Sequence, residues 1–128
     1  MKVSDLKMYI IVRNDLDVSV GKAMVHSAHA VLSLYVHNQG NSQYKARIDE
    51  WFECYQTKII LGIKNESKLR ELHDSVPEVM GREFPRAMVE DEGFYEVEKG
   101  TVICLAVGPM TKDETTKLGL NKLSLYKK

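Results

Sequence analysis

Lys22, His26, His29 and Ser33 fall four, three and four residues apart in the stretch VGKAMVHSAHAVLS. At 3.6 residues per turn, that spacing puts them on one face of a helix. Imidazoles change charge near neutral pH, so two of the chain's four histidines stand where they can handle protons. Lys22 lies in the first turn, where unpaired backbone N–H groups and the helix dipole favour an anion. Gly21 beside it removes a side chain from that approach. A carboxylate, Asp91 in VEDEG, follows a strand-like run and can act as a base or orient one. Plainer readings stand beside each of these. Gly21 can serve packing, Lys22 can be a solvated lysine, His29 can join a helix contact, and Glu90-Asp91-Glu92 can be a polar turn. His26 and His29 are one turn apart, but no HExxH pattern and no third ligand accompany them, so no metal is expected. Spacing alone does not bring Asp91 to Lys22. The fold must do so.

The elements that would position these residues are legible from periodicity. MYIIVR (Met8 to Arg13) reads as a buried strand, and Asp17 or Ser19 can cap the helix that follows. Within that helix Val20, Met24, Ser27, Val31 and Leu34 form a mostly apolar stripe expected to face the core. The helix should stop near Asn38-Gln39-Gly40. Tyr44, Ile48, Trp51 and Tyr55 predict a second helix over 42–55, with Trp51 in the core. KIILGIK (Lys58 to Lys64) reads as the second strand. Asn65 caps a third helix, which Pro77 should break or kink. RAMVE (Arg86 to Glu90) and TVICLAVG (Thr101 to Gly108) read as the third and fourth strands, with Pro109 ending the last. A short helix interrupted by Gly119 closes the chain. Strands separated by helices predict an α/β fold with a largely parallel sheet covered on both faces.

Composition sets the class. At 128 residues the chain should be one domain spanning 1–128, long enough to build a core without staples. Its 44% hydrophobic and 28% charged content is ordinary for a soluble globular protein. No apolar run suits a membrane span, and the N-terminus does not read as a signal peptide. Cys54 and Cys104 lack CxxC partners and are expected as buried, reduced thiols in a cytoplasmic protein. Zero net charge argues against broad, nonspecific nucleic-acid binding. Charge is uneven, however: acids dominate 83–98, and lysines dominate 111–128. The basic end can be a phosphate-binding face or a solvated tail.

The ordered set IIVRNDL, GKAMVHSAHA, DEG, KGT and LAVGP resembles the type 2 peptidyl-tRNA hydrolase family over almost the whole chain. The resemblance implies a compact, mixed four-stranded sheet flanked by helices. It implies hydrolysis of the ester at the 3′ end of peptidyl-tRNA, without metal or cofactor. Family members are often dimers, which leaves a homodimer open here. By position, Lys22, His29 and Asp91 match the polar residues of the family's site. Arg13, Asp15, Gly21, Gly93, Gly100, Thr101 and Gly108-Pro109 match its framework. Gly21, His26, Tyr95 and Thr101 are then the substrate-binding candidates. Three positions depart from the pattern: His26 stands where the family usually has glutamine, and Tyr95 and Ile103 stand where it usually has threonines. The expected mechanism has Asp91 orienting or deprotonating water, directly or through His29, with Lys22 at the phosphate or oxyanion. The basic C-terminal face would hold the tRNA backbone. The rival reading is a catalytically diverged member that binds RNA or a protein through the same cleft.

Overall fold

Strand β1 (Lys7–Arg13) is buried on both sides after its first residue, as its unbroken apolar run requires. It belongs to a computed structural model that describes residues 4–91, 97 and 99–127. From β1 the chain passes into α1 (Val20–His37) and α2 (Lys45–Glu53), then β2 (Lys58–Ile63) and α3 (Glu66–Met80). Strands β3 (Arg86–Glu90) and β4 (Val102–Met110), helix α4 (Lys112–Leu118) and a 3-10 turn (Leu120–Lys122) complete it. The four strands lie in the order β2-β1-β4-β3.

The sheet is mixed, as expected, but only its β1–β2 pair is parallel; β1–β4 and β3–β4 are antiparallel. Helix-separated strands do not have to be neighbours. Helix α3 carries the chain from β2, at one edge, to β3, at the other. Strand β4 then enters the centre against both β1 and β3, and antiparallel neighbours need no helical crossover.

Alternation along β1 sends side chains to two cores. Tyr9 and Ile11 pack with Leu69 and Val76 of α3 and with Leu118 of α4. Met8, Ile10 and Val12 pack with Ala30 and Leu34 of α1 and with Trp51 of α2. Helices therefore cover both faces, with α1 and α2 on one and α3 and α4 on the other. Trp51 is in the core, and its indole N–H donates to the Thr57 carbonyl at 2.8 Å. Cys54 and Cys104 are both free thiols and buried.

Three local expectations differ from the structure. Helix α1 buries Ala23, Ser27, Ala30 and Leu34, while Val20 and Met24 of the expected stripe are exposed. Apolar residues occur all round this helix, so periodicity does not single out one stripe. The small side chains are the ones that let α1 approach the sheet closely. Helix α3 continues through Pro77 to Met80, because Val76 is buried and Val79 and Met80 pack on the core. That packing offsets the hydrogen bond a proline cannot donate. Strand β4 likewise runs past Pro109 to Met110. Beyond Val107 it has no β3 partner, and its β1 register shifts between Lys7 and Tyr9, where a missing N–H is tolerated.

Candidate active site

Helix α1 starts at Ser19, whose hydroxyl accepts from the Lys22 backbone N–H at 3.1 Å. Such a cap contributes about 1 kcal/mol and fixes where the first turn begins. The rotation of that turn settles where Lys22 goes. Its side chain runs inward, is only 7% exposed, and places Nζ 2.9 Å from Asp91 Oδ2. One turn later, His26 Nε2 lies 2.7 Å from the same oxygen. The carboxylate is itself buried, at 5% exposure. A buried charge needs partners, and here a cation and an imidazole share one oxygen.

Asp91 is held by its backbone as well as its side chain. Its N–H donates to the Thr101 carbonyl at 2.8 Å, and its carbonyl accepts from the Gly100 N–H at 2.8 Å. These bonds close the end of the β3–β4 ladder. Arg13, at the end of β1, fixes the next residue: its Nη1 donates to the Val102 carbonyl at 3.0 Å. The same guanidinium grips Asp15 through two hydrogen bonds and Glu66 through one. Arg13 thereby holds the Asp15 carboxyl below its ordinary pKa, mainly by hydrogen bonding. Three strands thus converge on the backbone that carries Asp91.

The pair of His26 and Asp91 fixes the chemistry of the ring. When Nε2–H donates to the carboxylate, neutral imidazole leaves Nδ1 as an acceptor. Among the described residues Nδ1 has no hydrogen-bond partner, although it is buried. Behind it, the Cys104 thiol of β4 donates to the His26 backbone carbonyl at 3.5 Å. Burial pushes that thiol's pKa up to about 12, so it stays protonated and is no nucleophile at neutral pH.

The cluster forms the wall of a groove of about 720 Å³ between α1 and β3. Lys22, His26, His29 and Ser33 all line it, so the polar stripe read from spacing is one surface. Gly21 lines it too. A Cβ there would meet only Ser19 Oγ, at 4.0 Å, so packing does not demand a glycine.

The sequence-derived candidates separate accordingly. Lys22, His26 and Asp91 are brought into contact. His29 lies in the groove and makes no hydrogen bond or ion pair among the described residues. Thr101 holds Asp91 through its carbonyl. Tyr95 and Gly93 lie outside the described residues. Ile103 is fully buried in the core beneath α1. Sequence reasoning gave no role to the β3 residues Arg86, Ala87 and Met88 that line the groove. An apolar run such as RAMVE does not announce itself as an edge strand beside a cleft. Among the described residues, no three His, Cys, Asp or Glu gather closely enough to hold a metal. No described helix is long and apolar enough to cross a membrane.

A family model described as peptidyl-tRNA hydrolase PTH2 matches residues 6–126. The chain is 33% identical over 123 residues to the peptidyl-tRNA hydrolase of Pyrobaculum aerophilum, covering 96% of this chain and 99% of that protein. The Methanopyrus kandleri peptidyl-tRNA hydrolase is 35% identical over 112 residues, covering 88% and 91% respectively. That of Sulfurisphaera tokodaii is 32% identical over 114 residues, covering 88% and 92%. With nearly every element of the fold inside these matches, the chain belongs to the peptidyl-tRNA hydrolase PTH2 family.

Proposed function

We propose that the protein hydrolyses the ester bond of peptidyl-tRNA, releasing peptide and free tRNA, with Lys22, His26 and Asp91 as the working group. Family membership supports the activity. The observation that carries the residue roles is the buried carboxylate that meets a lysine and an imidazole at one oxygen, at the wall of an open groove.

An aminoacyl ester is already activated, so the site must chiefly place water against the carbonyl. Asp91 is the anion that orients this water, held by Lys22 and by the Thr101 and Gly100 backbone. His26 keeps its Nε2–H on Asp91 and so holds the carboxylate in place, and the carboxylate is the group that takes the proton released on attack. The carboxylate in turn fixes the tautomer of the ring. Lys22 first neutralises Asp91. As negative charge develops on the attacked carbonyl, the same ammonium and the α1 N-terminus are positioned to stabilise it. His29 borders the path of the substrate and Gly21 keeps it open, while Thr101 acts through the carbonyl that holds Asp91.

A homodimer belongs to the same reading and rests on the family resemblance, and a cytoplasmic location rests on the two free, buried thiols. Exposed Met24, Leu32, Phe52 and Ile60, which line one apolar groove, supply surface for the dimer.

The test is single-turnover cleavage of a peptidyl-tRNA, paired with tRNA affinity at one salt concentration. Asp91→Asn should lower cleavage by about a hundredfold or more, the scale of acid–base assistance. Affinity should not fall, because removing a negative charge adds no repulsion to phosphate. Cleavage that survives the substitution discards the role of Asp91. Wild-type protein no faster than buffer discards the enzyme reading in favour of a binding module.

A further inference from the structure

The groove does not end at the catalytic cluster. It follows α1 and the open edge of β3 from Ser19 and Asp91 to His37 and Arg86. There it runs into a second, more polar pocket of about 450 Å³, which shares His37, Arg86, Ala87 and Met88 with the first. His73 and Arg82 line that far pocket, with Glu83 as its single acid. Two arginines and two histidines thus come together from α1, α3, the α3–β3 connection and the start of β3. His73 already meets Asp74 at 3.1 Å.

Arg86 is built into this end. Its Nη1 donates to the Arg82 carbonyl at 3.1 Å and to the Phe84 carbonyl at 2.9 Å. Among the described residues no hydrogen bond uses its Nε or Nη2. Arg82 is exposed and makes no ion pair among the described residues. Guanidinium groups with unused planar donors fit phosphate oxygens.

The alternative cationic surface is on the wrong side. Lys112 and Lys117 of α4, and Lys122 of the turn after it, belong to elements packed on the α3 face of the sheet. Asp91 opens toward α1, on the other face. A strand whose 3′ end reaches Asp91 would have to wrap the sheet edge to meet those lysines.

We infer that the His37, His73, Arg82 and Arg86 pocket is a phosphodiester subsite that holds the acceptor strand of tRNA upstream of the ester. This rests on the proposed activity. Five residues of extended chain separate Arg86 from Asp91, about 16 Å at ~3.3 Å per residue. At a rise of ~3.4 Å per nucleotide, that is about five nucleotides. The subsite therefore engages phosphates that a very short substrate does not have.

The experiment compares wild type with Arg82→Ala and Arg82→Glu. Affinity for full-length tRNA is measured across a salt series. Cleavage is measured on peptidyl-tRNA and on the same peptidyl ester of a CCA trinucleotide. Arg82→Ala should weaken tRNA binding several-fold and reduce the salt slope by about 0.7–0.9, one phosphate contact. Arg82→Glu should weaken it further, with kcat/KM on the trinucleotide ester unchanged for both. Lys117→Glu should leave all three quantities at wild-type values. Unaltered tRNA affinity and slope in both Arg82 variants overturns the inference. So does an equal loss on the trinucleotide ester, or a larger loss from Lys117→Glu. If wild type cleaves neither substrate, the hydrolase reading fails separately, and the affinity series still decides whether this pocket holds RNA.

Discussion

Lys22 occupies a first-turn position where a lysine normally contributes charge to solvent. Here it is buried against Asp91, so it also supports the fold. Removing one partner of a buried ion pair strands the other, at a cost of about 3–5 kcal/mol. Lys22→Met should therefore destabilise the protein by about that much in a urea titration. Adding Asp91→Asn should recover most of the loss, since no charge is then left uncompensated, while cleavage stays abolished. A Lys22→Met protein as stable as wild type would show that the pair is solvated and not structural. The residue types were readable in the sequence, and their contact was not. Lys22 and His26 share a helix face by simple periodicity, whereas Asp91 reaches them only because β4 enters the sheet between β1 and β3. The choice between His26 and His29 as its partner depends on helix rotation, which a helix apolar on several sides does not declare.

Helix α1 shows what periodicity can and cannot specify. Capping chemistry left its start open between Asp17 and Ser19 and set its end near Asn38; the observed cap is Ser19, and the helix ends at His37. Its buried stripe of small residues was hidden by larger apolar ones that face outward. The prolines erred the other way: Pro77 and Pro109 looked like stops, yet packing in one case and an unpaired strand end in the other carry the chain past them. Gly21 separates folding from function most cleanly. A methyl group fits there without a clash, and replacing a helical glycine by alanine stabilises by about 0.5–1 kcal/mol. Gly21→Ala should thus raise the thermal midpoint by a few degrees while lowering kcat/KM, because Gly21 lines the groove and a methyl adds bulk there. Full activity in a stabilised variant would remove Gly21 from the substrate's path.

At the scale of the whole molecule, the central sheet divides the labour. One face packs α3 and α4, and the other packs α1 and α2 and borders the groove. Cys104 lies where the second of these layers closes, its thiol against the His26 carbonyl. Burial raises its pKa from the ordinary 9.0 to about 12, so the folded state disfavours the thiolate. Below about pH 7.5 both folded and unfolded thiols are protonated, and Cys104 adds no pH dependence. Between about pH 9 and 12 only the unfolded chain ionises, and stability should fall by up to about 1.4 kcal/mol per pH unit. Cys104→Ala should be less steeply destabilised by alkali than wild type, measured by urea titration at pH 9, 10 and 11. Identical slopes would mean that the thiol is solvated.

The same sulfur is a built-in clock. An alkylating reagent can reach Cys104 only in the moments when α1 lifts from β4, so its labelling rate in a Cys54→Ser background counts those openings. The helix that must lift carries Lys22 and His26. The rate at which this one atom becomes reactive thus also reports how often the Lys22–His26–Asp91 cluster comes apart and re-forms.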